Sequence, residues 1–362
     1  MPRLPPWLFR QAKQHSPHLA ALVAACKDLQ SARNELRWIS EHVGRTVQTR
    51  RQQHRLARLC RDRGRGLPLQ YVLGSQPFGH LDIKCRPGVL IPRPETEAYT
   101  CHLVDLIKAG LRLDKNPNSC SNSLSIVDFC TGTGCIPLLL FSSLQQSFSA
   151  LNVLGIDVAH EAIKLGRENM ARNYNLGHIE GPRHGQSLGV SRGNVFDDQD
   201  IQALASRRWD ILVSNPPYVS QRAWDNGHGQ LGYSVRKYEP RLALVPGNHL
   251  PVPEGWERED VFYARLLDVA ALLQPRTVLL ELGDEAQARR VLARFPRHPF
   301  AHGSAVELWR DYPDLTPGDG EDARLHGTTV PGQAWSVPVK GRGQIRCIHI
   351  QKGDSCFEGH GR

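Results

Sequence analysis

From about residue 125 the chain repeats one pattern: a short apolar run, a turn, then a stretch with helical periodicity. That repetition restricts the fold to a sheet of mostly parallel strands. Residues 125–129, 153–157, 211–214 and 277–282 are apolar nearly throughout, as parallel strands covered on both faces must be. Helical stretches over 161–173, 260–273 and 284–294 lie between or after them. Right-handed crossovers then predict a doubly wound, Rossmann-like α/β domain. Residues 305–310 and 344–350 read as a terminal pair of strands. The Pro- and Gly-rich piece between them, about 312–343, reads as a surface insertion, and 177–189 as another loop.

Upstream the character changes. Residues 1–66 carry Leu19, Leu22, Val23, Cys26, Leu29, Leu36, Trp38, Ile39 and Val43 at helical spacing, which predicts a small helical domain. Over 67–92 the alternation of Phe78, Leu81, Ile83 and Cys85 among Pro and Gly predicts a β-hairpin linker, leaving 93–362 for the sheet domain. The net charge of +9 is segregated: residues 1–66 hold 14 Lys and Arg against 4 Asp and Glu, which leaves 31 against 32 for the rest. A basic module on a neutral body suits an anionic partner, such as RNA or the ribosome, or an import signal built on Arg3, Arg10 and Lys13; a solvated basic helix face is the alternative. Pro5, Pro6 and Pro17 count against an amphipathic import helix. No window is apolar enough to span a membrane, so no membrane partner is expected. The nine cysteines form no CxxC pair and no Cys/His cluster, which points to reduced thiols and to no metal.

Two turns carry the chemistry. Asp128, Cys130, Thr131, Gly132, Thr133 and Gly134 follow the first strand and open a helix, where small residues let backbone lie against a ligand. Asp157 ends the second strand, in position to accept ribose hydroxyls. The turn lacks the GxGxxG spacing of a dinucleotide site, so the pair predicts an adenosine-bearing cofactor. Asn194 and Val195, at the end of the third strand, would border an adenine ring. The second turn, Asn215-Pro216-Pro217-Tyr218, runs straight out of an apolar strand. A planar nitrogen that attacks a sulfonium methyl is a poor nucleophile and must be aimed. The Asn215 side-chain oxygen and the Pro216 carbonyl can each accept one of its N–H groups, and Tyr218 can stack on the planar group.

These residues resemble the HemK/PrmC family of protein-(glutamine-N5) methyltransferases. The likeness covers most of the chain: Gln70 to Gly74, Gln76 to Phe78, Ile91-Pro92-Arg93-Pro94-Glu95-Thr96-Glu97, both turns, and Tyr238-Glu239-Pro240. The resemblance implies S-adenosyl-L-methionine as cofactor and the glutamine of the GGQ motif in a class 1 peptide chain release factor as substrate. It implies cofactor contacts at the 130–134 turn, Asp157, Val195 and Asn215, and substrate contacts at Arg93, Glu95, Glu97 and Asn215 to Tyr218. Cys130 departs from the glycine usual in bacterial members and Val195 from a residue that is often aromatic. Insertions and the Arg-rich start resemble the mitochondrial branch, which implies the matrix, with the cytoplasm as the alternative. Two rivals stay open: a nucleic-acid amino-methyltransferase, since the tetrad is shared with adenine-modifying enzymes, and a non-catalytic adaptor that has kept the fold.

Overall fold

The computed structural model describes residues 4–44, 49–113, 123–227, 231–329 and 332–353. The chain divides into two compact units. The first joins Met1–Gln76, Lys84–Ile91 and Asn226–Pro240; the second joins Pro77–Ile83, Pro92–Asp225 and Arg241–Arg362.

The first unit is built on helices Pro6–His15, Pro17–Cys26, Leu29–Val43 and Arg50–Gly64. Pro6 and Pro17 stand at helix starts, where a missing N–H costs nothing; the prolines begin these helices and do not break them. Ser16, Asp28 and Thr49 cap the next three by accepting backbone N–H groups, Thr49 in a reciprocal capping box with Gln52. Leu8, Leu22, Val23, Ile39, Leu56 and Cys60 form the core. Trp38 is turned outward, 41% exposed, because Ala32, Glu35, Ile39 and Val43 form the inward stripe of its helix. Glu35 enters that stripe because Arg63 meets it with two parallel bonds of 2.6 and 2.8 Å. The unit does not end at residue 66: Glu239 accepts the Ile91 N–H at 3.1 Å in a buried position, and the Tyr71 hydroxyl donates to the Val89 carbonyl at 3.0 Å. Tyr238-Glu239-Pro240 therefore belongs here, far from its neighbours in sequence.

The strands, in chain order, are β1 (Ser75–Phe78), β2 (Leu81–Lys84), β3 (Ser123–Phe129), β4 (Ala150–Asp157), β5 (Gln186–Arg192), β6 (Ile211–Ser214), β7 (Thr277–Glu281), β8 (Ser304–Tyr312), β9 (Arg324–Thr328), β10 (Ala334–Lys340) and β11 (Arg342–Lys352). β1 and β2 form a hairpin, and the other nine form one sheet ordered β5-β4-β3-β6-β7-β11-β8-β10-β9. Pairing from β5 to β7 is parallel throughout, and β11 is antiparallel to both of its neighbours. Alternate residues feed opposite faces. Ile126, Ile211 and Val213 enter one core; Val127, Phe129 and Leu212 enter the other. Chain order reverses at β3, so a crevice for a ligand is expected beyond the carboxyl ends of β3 and β6.

Two loop expectations are corrected. The 312–343 insertion holds β9 and β10, which pair with each other and extend the sheet at β8. Its alternation was hidden by Pro338, which sits at the strand's paired end, and by polar residues on its outer face; Val330 and Pro331 lie outside the described residues. The 177–189 loop is shorter than expected, because β5 begins at Gln186 and pairs with β4 along its full length. No helix among the described residues is long and apolar enough to cross a membrane.

Candidate active site

At the end of β3 the backbone turns through three left-handed residues, Cys130, Gly132 and Gly134, with φ of 61°, 56° and 78°. Glycine takes such angles freely, whereas a side chain there costs about 1–2 kcal/mol. The turn is held from all sides. Thr131 N–H donates to the Ile156 carbonyl at 3.0 Å, and Gly132 N–H to Asp157 Oδ2 at 2.9 Å. The Asn169 amide donates to the Thr133 carbonyl at 2.9 Å from a fully buried position. Gly155 on β4 leaves the room: a Cβ there would lie 2.6 Å from Thr131 Oγ1. Gly134 then starts the helix Cys135–Leu144.

Beneath this turn Asp128 is wholly buried, and among the described residues neither its carboxyl oxygens nor the Thr131 hydroxyl makes a hydrogen bond of good geometry. Burial pushes the Asp128 carboxyl up to about 8, with the Thr131 hydroxyl pulling against the rise and Asp157 adding to it. An orphaned acid in such a place is what a cationic ligand group would satisfy. Asp157 accepts from Gly132 and, at 2.9 Å, from Ala159, and each oxygen keeps a lone pair for a further donor. Burial raises its carboxyl too, and these backbone donors oppose the rise.

At the third strand end the arrangement is less open. The Asn194 side chain accepts the Phe196 N–H at 3.0 Å in a local turn. Val195 is 6% exposed in the core, with its carbonyl taken by Arg265. The half-buried aromatic here is the next residue, Phe196, edge-on to Phe262 with ring centroids 5.0 Å apart.

β6 ends level with β3, Ser214 opposite Phe129, and the Ser214 hydroxyl donates to the Phe129 carbonyl at 2.8 Å. Asn215 therefore emerges beside Cys130. Pro216 and Pro217 are buried, while Asn215 and Tyr218 are partly exposed. Asn215 Nδ2 donates to Thr96 Oγ1 at 3.3 Å, and Thr96 Oγ1 donates to Glu281 Oε2 at 2.7 Å. The Tyr218 hydroxyl donates to Glu281 Oε1 at 3.0 Å. Its ring lies against Gly283, where a Cβ would be 3.2 Å away, so the ring is fixed at both ends. Glu281, at the end of β7, is 2% exposed; burial raises its carboxyl, and Thr96, Arg346, Tyr99 and Tyr218 each draw it back.

Of the Ile91 to Glu97 segment, the sequence reading singled out the charged side chains. Arg93, Glu95 and Glu97 are half-buried, with Glu95 and Glu97 in the first turn of helix Pro94–Leu113, a favourable place for acids. It is the uncharged Thr96, 2% exposed, that reaches the Asn215–Tyr218 corner. Helical spacing contained the signal: Thr96, Tyr99, Thr100 and Leu103 lie on one inward face. Glu281 was missed because a lone acid closing an apolar strand has no distinguishing neighbour. Among the described residues no cluster could hold a metal ion.

Cys130 should tolerate glycine and reject a β-branched residue, whose side chain clashes with the left-handed backbone. Cys130→Val is expected to lower stability by about 2 kcal/mol or more while Cys130→Gly stays folded. Thermal unfolding of the two variants checks this, and equal melting temperatures would remove strain at this turn from the account.

Residues 98–246, which span both turns, match the N-6 DNA Methylase family. The mitochondrial MRF1 N(5)-glutamine methyltransferase MTQ1 of Saccharomyces cerevisiae is 35% identical over 249 residues, 68% of this chain and 68% of that one. The probable mitochondrial MRF1 N(5)-glutamine methyltransferase of Schizosaccharomyces pombe is 30% identical over 288 residues, 78% of this chain and 86% of that one. The release factor glutamine methyltransferase of Pasteurella multocida is 30% identical over 283 residues, 76% of this chain and 80% of that one. With the two turns set side by side and relatives of this name matching over two thirds or more of both chains, the protein belongs to the release factor glutamine methyltransferase family.

Proposed function

We propose that this protein transfers a methyl group from S-adenosyl-L-methionine to the side-chain amide nitrogen of the GGQ glutamine in a class 1 peptide chain release factor, within mitochondria. One observation carries the reading: the glycine turn above an orphaned Asp128 and the Asn215–Tyr218 corner end on adjacent, level strands. The residues present fit the cofactor. Asp128 suits its ammonium group, Asp157 its ribose hydroxyls, and the backbone of 130–134 its close approach. When bound, the cofactor supplies a methyl on a sulfonium that leaves as a neutral thioether. The chain's own work is to aim the nitrogen. Asn215 Oδ1, which takes no hydrogen bond from any described residue, and the Pro216 carbonyl accept the two amide protons and stabilise positive charge as the N–C bond forms. The proton then leaves to solvent, since the methylated nitrogen is acidic before it does so.

Mitochondrial residence is supported by the names of the two yeast relatives and by Arg10 and Lys13 in the first helix; Arg3 lies outside the described residues. A second reading, methylation of a nucleic-acid amino group, is favoured by the N-6 DNA Methylase match and by the basic first unit. That unit serves here as the docking surface for the release factor. Arg50, Arg51, Arg55 and Arg58 stand exposed on the helix Arg50–Gly64, Arg55 at 3.1 Å from His42 Nε2, on a face that suits an acidic surface or RNA near the ribosome.

Incubation with labelled cofactor and either a release factor or nucleic acid, followed by mass spectrometry of the modified atom, separates the two readings. Asn215→Ala should lower turnover on the release factor by about 10² or more with binding of S-adenosylhomocysteine unchanged. Labelled nucleic acid with an unmodified release factor would sink the glutamine reading. Asp128 gives a pH test. Its carboxyl is protonated below about 8 and must ionise to hold an ammonium, so binding releases a proton there. Affinity for S-adenosylhomocysteine should rise from pH 6 to 8, by at most about tenfold per pH unit, and then level off; Asp128→Asn should flatten the profile. A flat profile in the unaltered protein would move the ammonium contact elsewhere. Charge reversal at Arg50, Arg51, Arg55 and Arg58 together should slow methylation of an intact release factor most at low salt. An unchanged rate across salt would leave these residues as a solvated face.

A further inference from the structure

The hydrogen bonds under the reacting corner run in one direction. Glu281 carries no proton of its own when ionised, and each of its oxygens already receives a hydroxyl, Oε2 from Thr96 at 2.7 Å and Oε1 from Tyr218 at 3.0 Å. Thr96 has a single hydroxyl proton. With that proton committed to Glu281, only lone pairs of Oγ1 remain to face Asn215, at 3.3 Å. A lone pair can be met by the NH2 end of the Asn215 amide and not by its oxygen.

An asparagine at a strand end is otherwise free to turn its amide by 180°, and the wrong orientation would present donors to a substrate nitrogen that itself carries only donors. Both orientations have nearly the same shape, so packing alone cannot choose between them. We infer that Thr96 and Glu281 form a one-way relay that holds the Asn215 amide with its oxygen toward the substrate, which makes both of them positioning residues for methyl transfer.

The relay spans three segments distant in sequence: the first turn of helix Pro94–Leu113, the end of β7 and the end of β6. Each member is anchored independently. Thr96 is packed in the inward face of its helix with its own carbonyl taken by Thr100 at 2.6 Å. The main-chain carbonyl of Glu281 accepts the Tyr263 hydroxyl at 2.9 Å. Tyr218 closes the circuit: its hydroxyl shares the Glu281 carboxylate, so the ring at the far end of the tetrad is set by the same group that sets Asn215. The hydroxyl on residue 96 therefore serves two neighbours, giving its proton to the buried Glu281 carboxylate and a lone pair to Asn215; a valine would keep the shape and lose both.

The inference rests on the glutamine reading for its substrate, and the test separates the two. Thr96→Val should lower turnover on the release factor by about tenfold or more, toward the loss seen on removing one transition-state acceptor, without changing S-adenosylhomocysteine binding. Thr96→Ser, which keeps the hydroxyl, should stay within about threefold of the unaltered protein, within the scatter expected of a conservative exchange. In an Asn215→Ala background, Thr96→Val should cost nothing further, since the residue acts through Asn215. Full turnover in Thr96→Val, an additive loss in the double variant, or no rescue by serine would each overturn the relay. A readout without substrate covers the remaining cases. In the full-length unaltered protein, the Asn215 side-chain NH2 resonance, assigned by its disappearance in Asn215→Ala, should be protected from solvent exchange. Exchange as fast as that of an exposed amide overturns the relay even if Thr96→Val does not fold. If the unaltered protein leaves the release factor unmodified, the glutamine reading falls and this resonance alone decides the relay.

Discussion

The parallel register of β3 and β6 sets Phe129 opposite Ser214, and both strands stop there. Everything that follows each strand is consequently placed at one spot: the left-handed turn after β3 and the Asn215 corner after β6. The Ser214 hydroxyl locks the level by donating to the Phe129 carbonyl in a buried position. A slip of one residue would turn every side chain of β6 to the opposite face and carry Asn215 away from the turn. The alternation of Ile211 and Val213 into one core and Leu212 into the other makes that slip costly, because apolar packing on both faces opposes it.

Two buried carboxylates lie near that spot, and their surroundings set them apart. Among the described residues Asp128 has no hydrogen bond of good geometry, so its charged form is costly and its proton is held to about 8. Glu281 is equally buried and burial raises its carboxyl, yet two hydroxyls donate to it and the Arg346 guanidinium draws it back, so its charged form is partly compensated. The first arrangement leaves room for a cation to complete it. The second is already complete, and Tyr218 directly, and Asn215 through Thr96, are hydrogen-bonded to it. In the proposed reaction, rigid placement of the amide matters because an amide nitrogen is a weak nucleophile whose lone pair is delocalised, and orientation supplies much of what its basicity lacks.

The turn also carries a local cost. Cys130 adopts a left-handed backbone that a glycine would take freely, while the neighbouring Gly132 and Gly134 occupy the same region without strain. The bonds from Thr131 to Ile156 and from Gly132 to Asp157 over-determine the turn and keep Cys130 there. Strain tolerated beside a reacting corner is consistent with a backbone path dictated by the ligand surface and not by local preference.

Much of this was written along the chain. Apolar runs revealed the four central parallel strands within a few residues, since strands buried on both faces must be apolar continuously. The glycine turn, Asp157 and the Asn-Pro-Pro-Tyr corner announced themselves because each needs particular residue types within a short span. Other features were hidden. β9 and β10 alternate too weakly, with Pro338 among them, to be told from a loop until β8 offers an edge to pair with. Glu239 stands in the sequence only as part of the Tyr238-Glu239-Pro240 segment that carries the resemblance, and nothing near it in the chain shows that its carboxylate serves the Ile91 N–H, 148 positions away, inside the first unit. Thr96 and Glu281 are unremarkable in sequence, a threonine among charges and an acid ending a strand; they acquire a role only when helix, β7 and β6 converge. Periodicity and turn chemistry depend on neighbours in the chain, so the sequence carries them openly. A hydrogen bond between residues 96 and 281 depends on the direction of a hydroxyl across 185 positions, and only the folded packing of three separate elements sets that direction.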